Sequence, residues 1–200
     1  MDNLQIGTFG WLHEDWQGSF YPDDMPEEWQ LDYYSNAFRV VLVPQEQWLN
    51  LTEEELEEYA DCVEGEFAFY LELRESMSPQ KQQQLGLMKH VLGSLLSGVV
   101  VFSESWLPDA YLEDVPVTLV SESLVLPGWQ WQAEGKMISG EPLGFVGDLQ
   151  ESGKWQTELL KSFVGTLPEQ LLGAPFFVGG DVINMSRVAN LKVVGEVLGY

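Results

Sequence analysis

The apolar positions of this chain fall in short dense runs, separated by amphipathic stretches. LQIGTF at Leu4–Phe9 reads as a buried strand leading into Gly-Trp. Arg39-Val40-Val41-Leu42-Val43 is a β-branched run stopped by Pro44. EFAFYLEL at 66–73, GVVVF at 98–102 and VPVTLV at 115–120 have the same character. Short strands are also predicted at 142–146 and 175–178. Runs this apolar predict strands covered on both faces.

Between them the period changes to that of helices. Residues 26–38 open with Pro-Glu-Glu, a favoured helix start, and carry Trp29, Leu31, Tyr34 and Phe38. Thr52 and Glu55 have capping-box spacing for a helix to about Val63. Ser78-Pro79 starts a helix predicted to reach about Leu96, with Leu85, Met88, Val91 and Leu92 on one side. Residues 155–167 place Leu159, Leu160, Phe163, Val164 and Leu167 on a face, and 184–198 form a last helix ended by Gly199. The stretch 126–140, rich in Trp, Gly and Gln, fits neither period.

Strand followed by helix, six or more times, predicts the α/β class: a parallel sheet with outer helices in one domain over residues 1–200. A reduced TIM-type (β/α) barrel is the first candidate; a barrel of eight such units usually takes about 200–250 residues, so here it would be a compact one. An open doubly wound sheet is the rival, and periodicity leaves both standing.

Composition narrows the class. At 45% hydrophobic and 12% aromatic residues the chain is too apolar to be disordered. No apolar run reaches the roughly 18–20 residues of a membrane span. The opening MDNLQIGTFGW lacks a basic segment followed by an apolar one, so no secretory signal is expected. Cys62 is the single cysteine, which excludes an intrachain disulfide framework and any multi-cysteine metal site. A cytoplasmic location is the expectation. Charge is lopsided: 32 acids against 9 Lys and Arg give −23. Proteins bind nucleic acid by neutralising phosphates with Lys and Arg, so that class is disfavoured, as are anionic membranes. A basic protein, a divalent ion or solubility alone remain open.

Residues 6–22, IGTFGWLHEDWQGSFYP, resemble the opening of the YecE-like family of unknown function, in Ile6, Gly7, Thr8, Gly10, Trp11, Trp16, Gly18, Phe20, Tyr21 and Pro22. The following helix is similar in Trp29, Tyr33, Tyr34 and Phe38. Beyond about residue 40 the likeness weakens. The resemblance implies a TIM-type barrel with its site at the strand C-termini, here in a shortened and divergent member. Against the family pattern, Leu42 stands for a Glu, Pro44 for an Asn, Glu72 for a Lys, Ser103 for a Gln, and Gly179 and Gly180 for paired Asn. His13 stands for a tyrosine. The scaffold looks kept and the polar equipment replaced.

Candidate chemistry gathers at the predicted strand ends. His13 beside Glu14 and Asp15 offers an acid/base pair or a ligand to a divalent ion; plain surface exposure is the alternative. Trp11, His13, Trp16 and Tyr21 are candidates for a binding wall, or else pack the barrel mouth. Glu72, Asp148 and Asp181 fall at strand ends, so His13, Glu72 and Asp181 are candidate catalytic residues, and with Asp148 candidate metal ligands. With this many acids, simple exposure competes for each. Gly179-Gly180-Asp181 suggests a phosphate cradle or a helix cap by Asp181. Residues 53–75 hold ten acids and one base, Arg74; such a run recruits a basic partner or is a solvated face. His90 and Cys62 read as structural.

Whether the chain is an enzyme stays open at this level. The leading expectation is a binding or interaction protein for an unknown small molecule, without cofactor. A divalent-metal-dependent hydrolase and an acidic protein that binds a basic partner are the alternatives. Oligomeric state is left undetermined.

Overall fold

The computed structural model describes residues 4–63, 65–169, 171 and 173–200. Residues 1–3, at the head of the segment inspected for a secretory signal, and Glu64, within the acidic run, lie outside the described residues. The apolar runs become strands where expected. β1 (Leu4–Phe9), β2 (Val40–Val43), β3 (Ala68–Leu73), β4 (Leu96–Phe102) and β5 (Val117–Ser121) pair in parallel in chain order. β9 (Ala174–Val178) lies on the other side of β1, with β8 (Gly144–Val146) beyond it. Every residue of β2 and β9 is buried, as strands between two layers require.

Except for one unexpected turn after β2 and an earlier end, at Val164 rather than Leu167, to the helix expected over 155–167, the helices follow their sequence signals. They are α1 (Glu27–Ala37), the single turn α2 (Gln45–Trp48), α3 (Glu53–Cys62), α4 (Pro79–Leu92), α5 (Gly153–Val164) and α6 (Met185–Leu198). The capping box of α3 is formed on both sides: Thr52 Oγ1 accepts from Glu55 N at 3.2 Å, and Glu55 accepts from Thr52 N at 2.8 Å. α4 stops four residues before the expected Leu96. Gly93 takes φ +52°, which turns the chain, and Leu96 already belongs to β4. No helix among the described residues is long and apolar enough to cross a membrane.

Two expectations are corrected. The untyped stretch 126–140 contains a hairpin, β6 (Trp129–Ala133) and β7 (Lys136–Gly140), and β7 is antiparallel to both β5 and β6. Its turn is Glu134-Gly135, both at positive φ (51° and 77°), the backbone a two-residue hairpin turn needs. The sheet is therefore not wholly parallel. Strand–helix units among the described residues number five rather than six or more, because β4 reaches β5 through a 3-10 turn at Ala110–Leu112 and β5 feeds the hairpin.

The sheet order is β6-β7-β5-β4-β3-β2-β1-β9-β8, and it curls until it is nearly closed. Tyr70 of β3 meets Phe177 of β9 at 5.3 Å between ring centroids, across two intervening strands. Phe102 of β4 meets Phe145 of β8 at 4.8 Å, across four. Such contacts cross the interior, so the barrel is a packed core rather than a channel. Glycines make room for these rings. Gly98 faces Tyr70, and a Cβ at Gly179 would lie 2.7 Å from Phe145.

No ladder joins β6 to β8 among the described residues. Side chains close that seam instead. Trp131 of β6 sets its ring 5.0 Å from Phe163 of α5 and 5.9 Å from Phe176 of β9, and its indole donates to Ser162 at 2.9 Å. Trp129 donates to the Thr166 carbonyl at 3.1 Å. On the opposite flank, the buried hydroxyl of Tyr34 in α1 accepts from Thr8 N and donates to the Val40 carbonyl, each at 3.0 Å. It fastens the helix to two strands at once.

Candidate functional site

The rim at the strand C-termini is built first by the loop after β1. Gly10, at φ +74°, turns the chain and donates its N–H to the Leu42 carbonyl at 2.8 Å. His13 then lies over Trp16, with centroids 4.2 Å apart and planes at 30°. Its Nε2 is 2.9 Å from the Phe9 carbonyl oxygen. A carbonyl only accepts, so Nε2 is the donor in this contact. Trp16 donates to the Ile183 carbonyl at 2.9 Å, and Tyr21 donates to the Trp11 carbonyl at 2.7 Å. Trp11 packs edge-on against Tyr59, 5.2 Å away. Trp11, Trp16 and Tyr21 are each 1% exposed. Burial also holds the Tyr21 phenol above its ordinary pKa. These four candidate residues therefore form one shell, and its aromatic faces are turned into the protein.

The acids behave differently from one another. Glu72, near the end of β3, is 4% exposed and fully engaged. One carboxylate oxygen accepts from Gln45 N at 2.8 Å and the other from Arg74 Nε at 2.8 Å. Asp148 and Asp181 stand after β8 and β9, both exposed. All of the expected acids and His13 thus reach the same end of the barrel. They do not converge: among the described residues, no group of three or more His, Cys, Asp or Glu side chains could hold a metal ion. The metal-dependent hydrolase alternative requires His13, Glu72, Asp148 and Asp181 to meet, and they form no such group. Glu72 lies within β3, whereas His13, Asp148 and Asp181 lie in the separate loops after β1, β8 and β9. Asp181 is not the cap of α6; Asn184 is, accepting from Arg187 N at 3.1 Å.

Two further glutamates do at the rim what Glu72 does. Glu104, after β4, accepts from Ser121 Oγ at 2.6 Å, Glu122 N at 2.8 Å, Ser123 N at 2.9 Å and Ser123 Oγ at 2.7 Å. These donors, the Ser121 hydroxyl foremost, hold its carboxyl down to about 2. Glu134, in the hairpin turn, accepts from Gly147 N at 2.6 Å and Asp148 N at 2.8 Å. Backbone N–H groups at strand C-termini are what a barrel of this kind offers to an anionic ligand. Here the chain's own carboxylates already occupy those after β2, β5 and β8.

Sequence reasoning passed over Glu104 and Glu134. A signal existed for the first: Ser103-Glu104-Ser105 and Ser121-Glu122-Ser123 stand at the ends of adjacent strands as matching tripeptides. For the second, Glu-Gly between two short polar-apolar alternations marked the turn.

Two concavities open among the described residues. One, of about 30 Å³, sits beside Gly147, Gly179 and Arg187 at the end of β8 and β9. It holds about one water. Arg187 is turned to the Leu149 carbonyl, 3.1 Å away. The other, of about 440 Å³, is an open groove between α3 and α4, lined by Glu53, Glu57, Asp61 and His90. His90 is thus exposed rather than a core residue. Cys62 is half-buried at the end of α3, and burial raises its thiol to about 11, which keeps it a poor nucleophile.

Fold and rim together define a TIM-type (β/α) barrel protein with a filled mouth. The family described as proteins of unknown function, DUF72, matches residues 5–102, from β1 through β4. Over that span the chain is similar to DUF72, the YecE-like family, which is consistent with a divergent member. A solved DUF72 family protein from Enterococcus faecalis is similar over 100% of this chain and 99% of its own, at 11% identity and a TM-score of 0.59. Another, from Thermotoga maritima, is similar over 98% of this chain and 99% of its own, at 14% identity and a TM-score of 0.49. No curated protein matches the sequence.

Proposed function

We propose that this protein is a non-catalytic interaction member of its family, which uses the barrel as a scaffold and binds a basic partner through the acidic face of α3. The observation that carries the reading is the state of the mouth. Phe102, Phe145, Tyr70 and Phe177 meet across the interior, and Glu72, Glu104 and Glu134 take up the rim's backbone donors. A small substrate would have to displace several of these at once. Outside, Glu53, Glu57 and Asp61 recur on successive turns of α3 beside the groove. Carboxylates so placed attract cations without the cost of burying charge. A cytoplasmic setting is in keeping with the single cysteine.

The test is fluorescence anisotropy of a labelled lysine-rich peptide at low and at physiological ionic strength. Binding that weakens with salt, and that is lost in Glu53→Lys/Glu57→Lys/Asp61→Lys, is the expected result. A triple reversal elsewhere, Glu151→Lys/Glu158→Lys/Glu196→Lys, should keep most of it. Equal loss in both variants, or no binding by the parent, overturns the partner reading. Turnover on a hydrolase panel with Mn²⁺, abolished by Glu72→Gln, overturns the non-catalytic one.

A further inference from the structure

We propose that the turn following β5, Ser121 to Leu124, is an oxyanion-binding nest and that Glu104 is its built-in occupant. Four donors from that turn meet a single carboxylate: two successive backbone N–H groups, of Glu122 and Ser123, and the hydroxyls of Ser121 and Ser123. Successive N–H groups aimed at one point form a concavity for anions.

The nest does not depend on its occupant for its shape. Ser121 closes β5, is 0% exposed, and is held in register opposite Met137 of β7. Its oxygen accepts from Leu124 N at 3.0 Å and lies 3.3 Å from Ser123 N. With its lone pairs so used, its proton is directed outward to the carboxylate. The acceptor, by contrast, comes from the neighbouring loop on an exposed side chain. A preformed set of donors and a separate acceptor from a neighbouring loop are the two parts of a masked site. The strong lowering of the Glu104 carboxyl pKa agrees with how well the donors fit an anion.

The ligand class is a small oxyanion, carboxylate or phosphate. The net charge of −23 opposes any anion, so affinity is millimolar and improves as ionic strength screens the field. The proposal stands apart from the reading of α3 and neither needs nor supports it.

The experiment uses the full chain and Glu104→Ala, with sodium phosphate and sodium acetate as probes and sodium chloride at equal ionic strength as reference. Thermal unfolding and amide NMR of Glu122 and Ser123 are followed. Glu104→Ala is expected to melt lower than the parent and to regain about 3–5 °C in tens of millimolar phosphate or acetate. The amides of Glu122 and Ser123 shift in the variant and stay still in the parent. Adding Ser123→Ala weakens the variant's anion binding about tenfold. If Glu104→Ala does not fold, Glu104→Ser, whose side chain is too short to reach the donors, is read in the same way. Anions no more effective than chloride in a folded variant overturn the nest. Equal shifts in the parent overturn the masking by Glu104.

Discussion

The indole nitrogen of Trp16 donates to the main-chain carbonyl of Ile183, 2.9 Å away and 167 residues later in the chain. One hydrogen bond thus ties the loop after the first strand to the loop after the last. Trp16 is 1% exposed and carries His13 on one face and Phe20 at its edge. Replacing it by Phe should cost about 1–3 kcal/mol, because the buried Ile183 carbonyl loses its donor. Replacing it by Ala should cost about 3–5 kcal/mol, through the cavity left behind. Urea denaturation checks both. A Trp16→Ala protein as stable as the parent would refute a structural role for this shell.

Tyr70 points into the barrel, and burial pushes its phenol up to about 12, with the charge of Glu141 adding to the shift. The unfolded chain gives up that proton near its ordinary value of 10.0, so above it the folded state holds more protons than the unfolded one. The contribution is complete below that value and is lost as pH rises from 10.0 to about 12. The Tyr70 contribution should be level up to the start of that window and fall within it, after an earlier fall in total stability from pH 9.0 due to the raised Cys62 thiol. Tyr70→Phe should reduce the slope by about 1.4 kcal/mol per pH unit. Urea midpoints across the alkaline range measure it.

Glu134 combines a left-handed backbone, φ 51°, with a carboxylate that bridges to the end of β8. Glu134→Ala loses the bridge and keeps the backbone strain. Glu134→Gly loses the bridge and relieves the strain. Both should be less stable than the parent, with the glycine variant the better of the two by about 1 kcal/mol. Hydrogen exchange at Gly147 and Asp148 should quicken equally in both. Unchanged exchange there would remove Glu134 from the closure of the barrel.

Glycine substitutions should separate two environments by sign. A Cβ at Gly7 would run into the Val40 carbonyl, the same group that accepts from Tyr34. Gly7→Ala should cost about 3 kcal/mol or more. Gly86, within α4, has open space around it, and Gly86→Ala should stabilise by about 0.5–1 kcal/mol. Thermal unfolding of the two variants reads both directions.

Much of the scaffold was legible from the sequence. The runs at β1 to β4 and β9 are apolar enough that only a strand buried on both faces accommodates them. The Thr52–Glu55 box is a local motif, and it formed as spacing predicted. The hairpin was not legible. WQWQA and KMISG are short and mix large apolar with polar residues, and their strand character comes from pairing with each other and with β5. The rim was readable by position and not by packing. His13, Glu72, Asp148 and Asp181 do stand at the mouth, yet neither burial nor partner follows from place in the chain.

What the sequence by itself determined was the α/β class, most strand and helix positions, the family likeness and the strong negative charge. These depend on residue type, local spacing and composition, which act within a few residues or over the whole chain. Tertiary structure alone decided how the barrel closes and what fills it. Trp131 reaches Ser162 across 31 residues, Glu104 finds Ser121 across 17, and Phe102 meets Phe145 over the core. Such contacts exist only once the sheet has curled, since its curvature sets which side chains face one another.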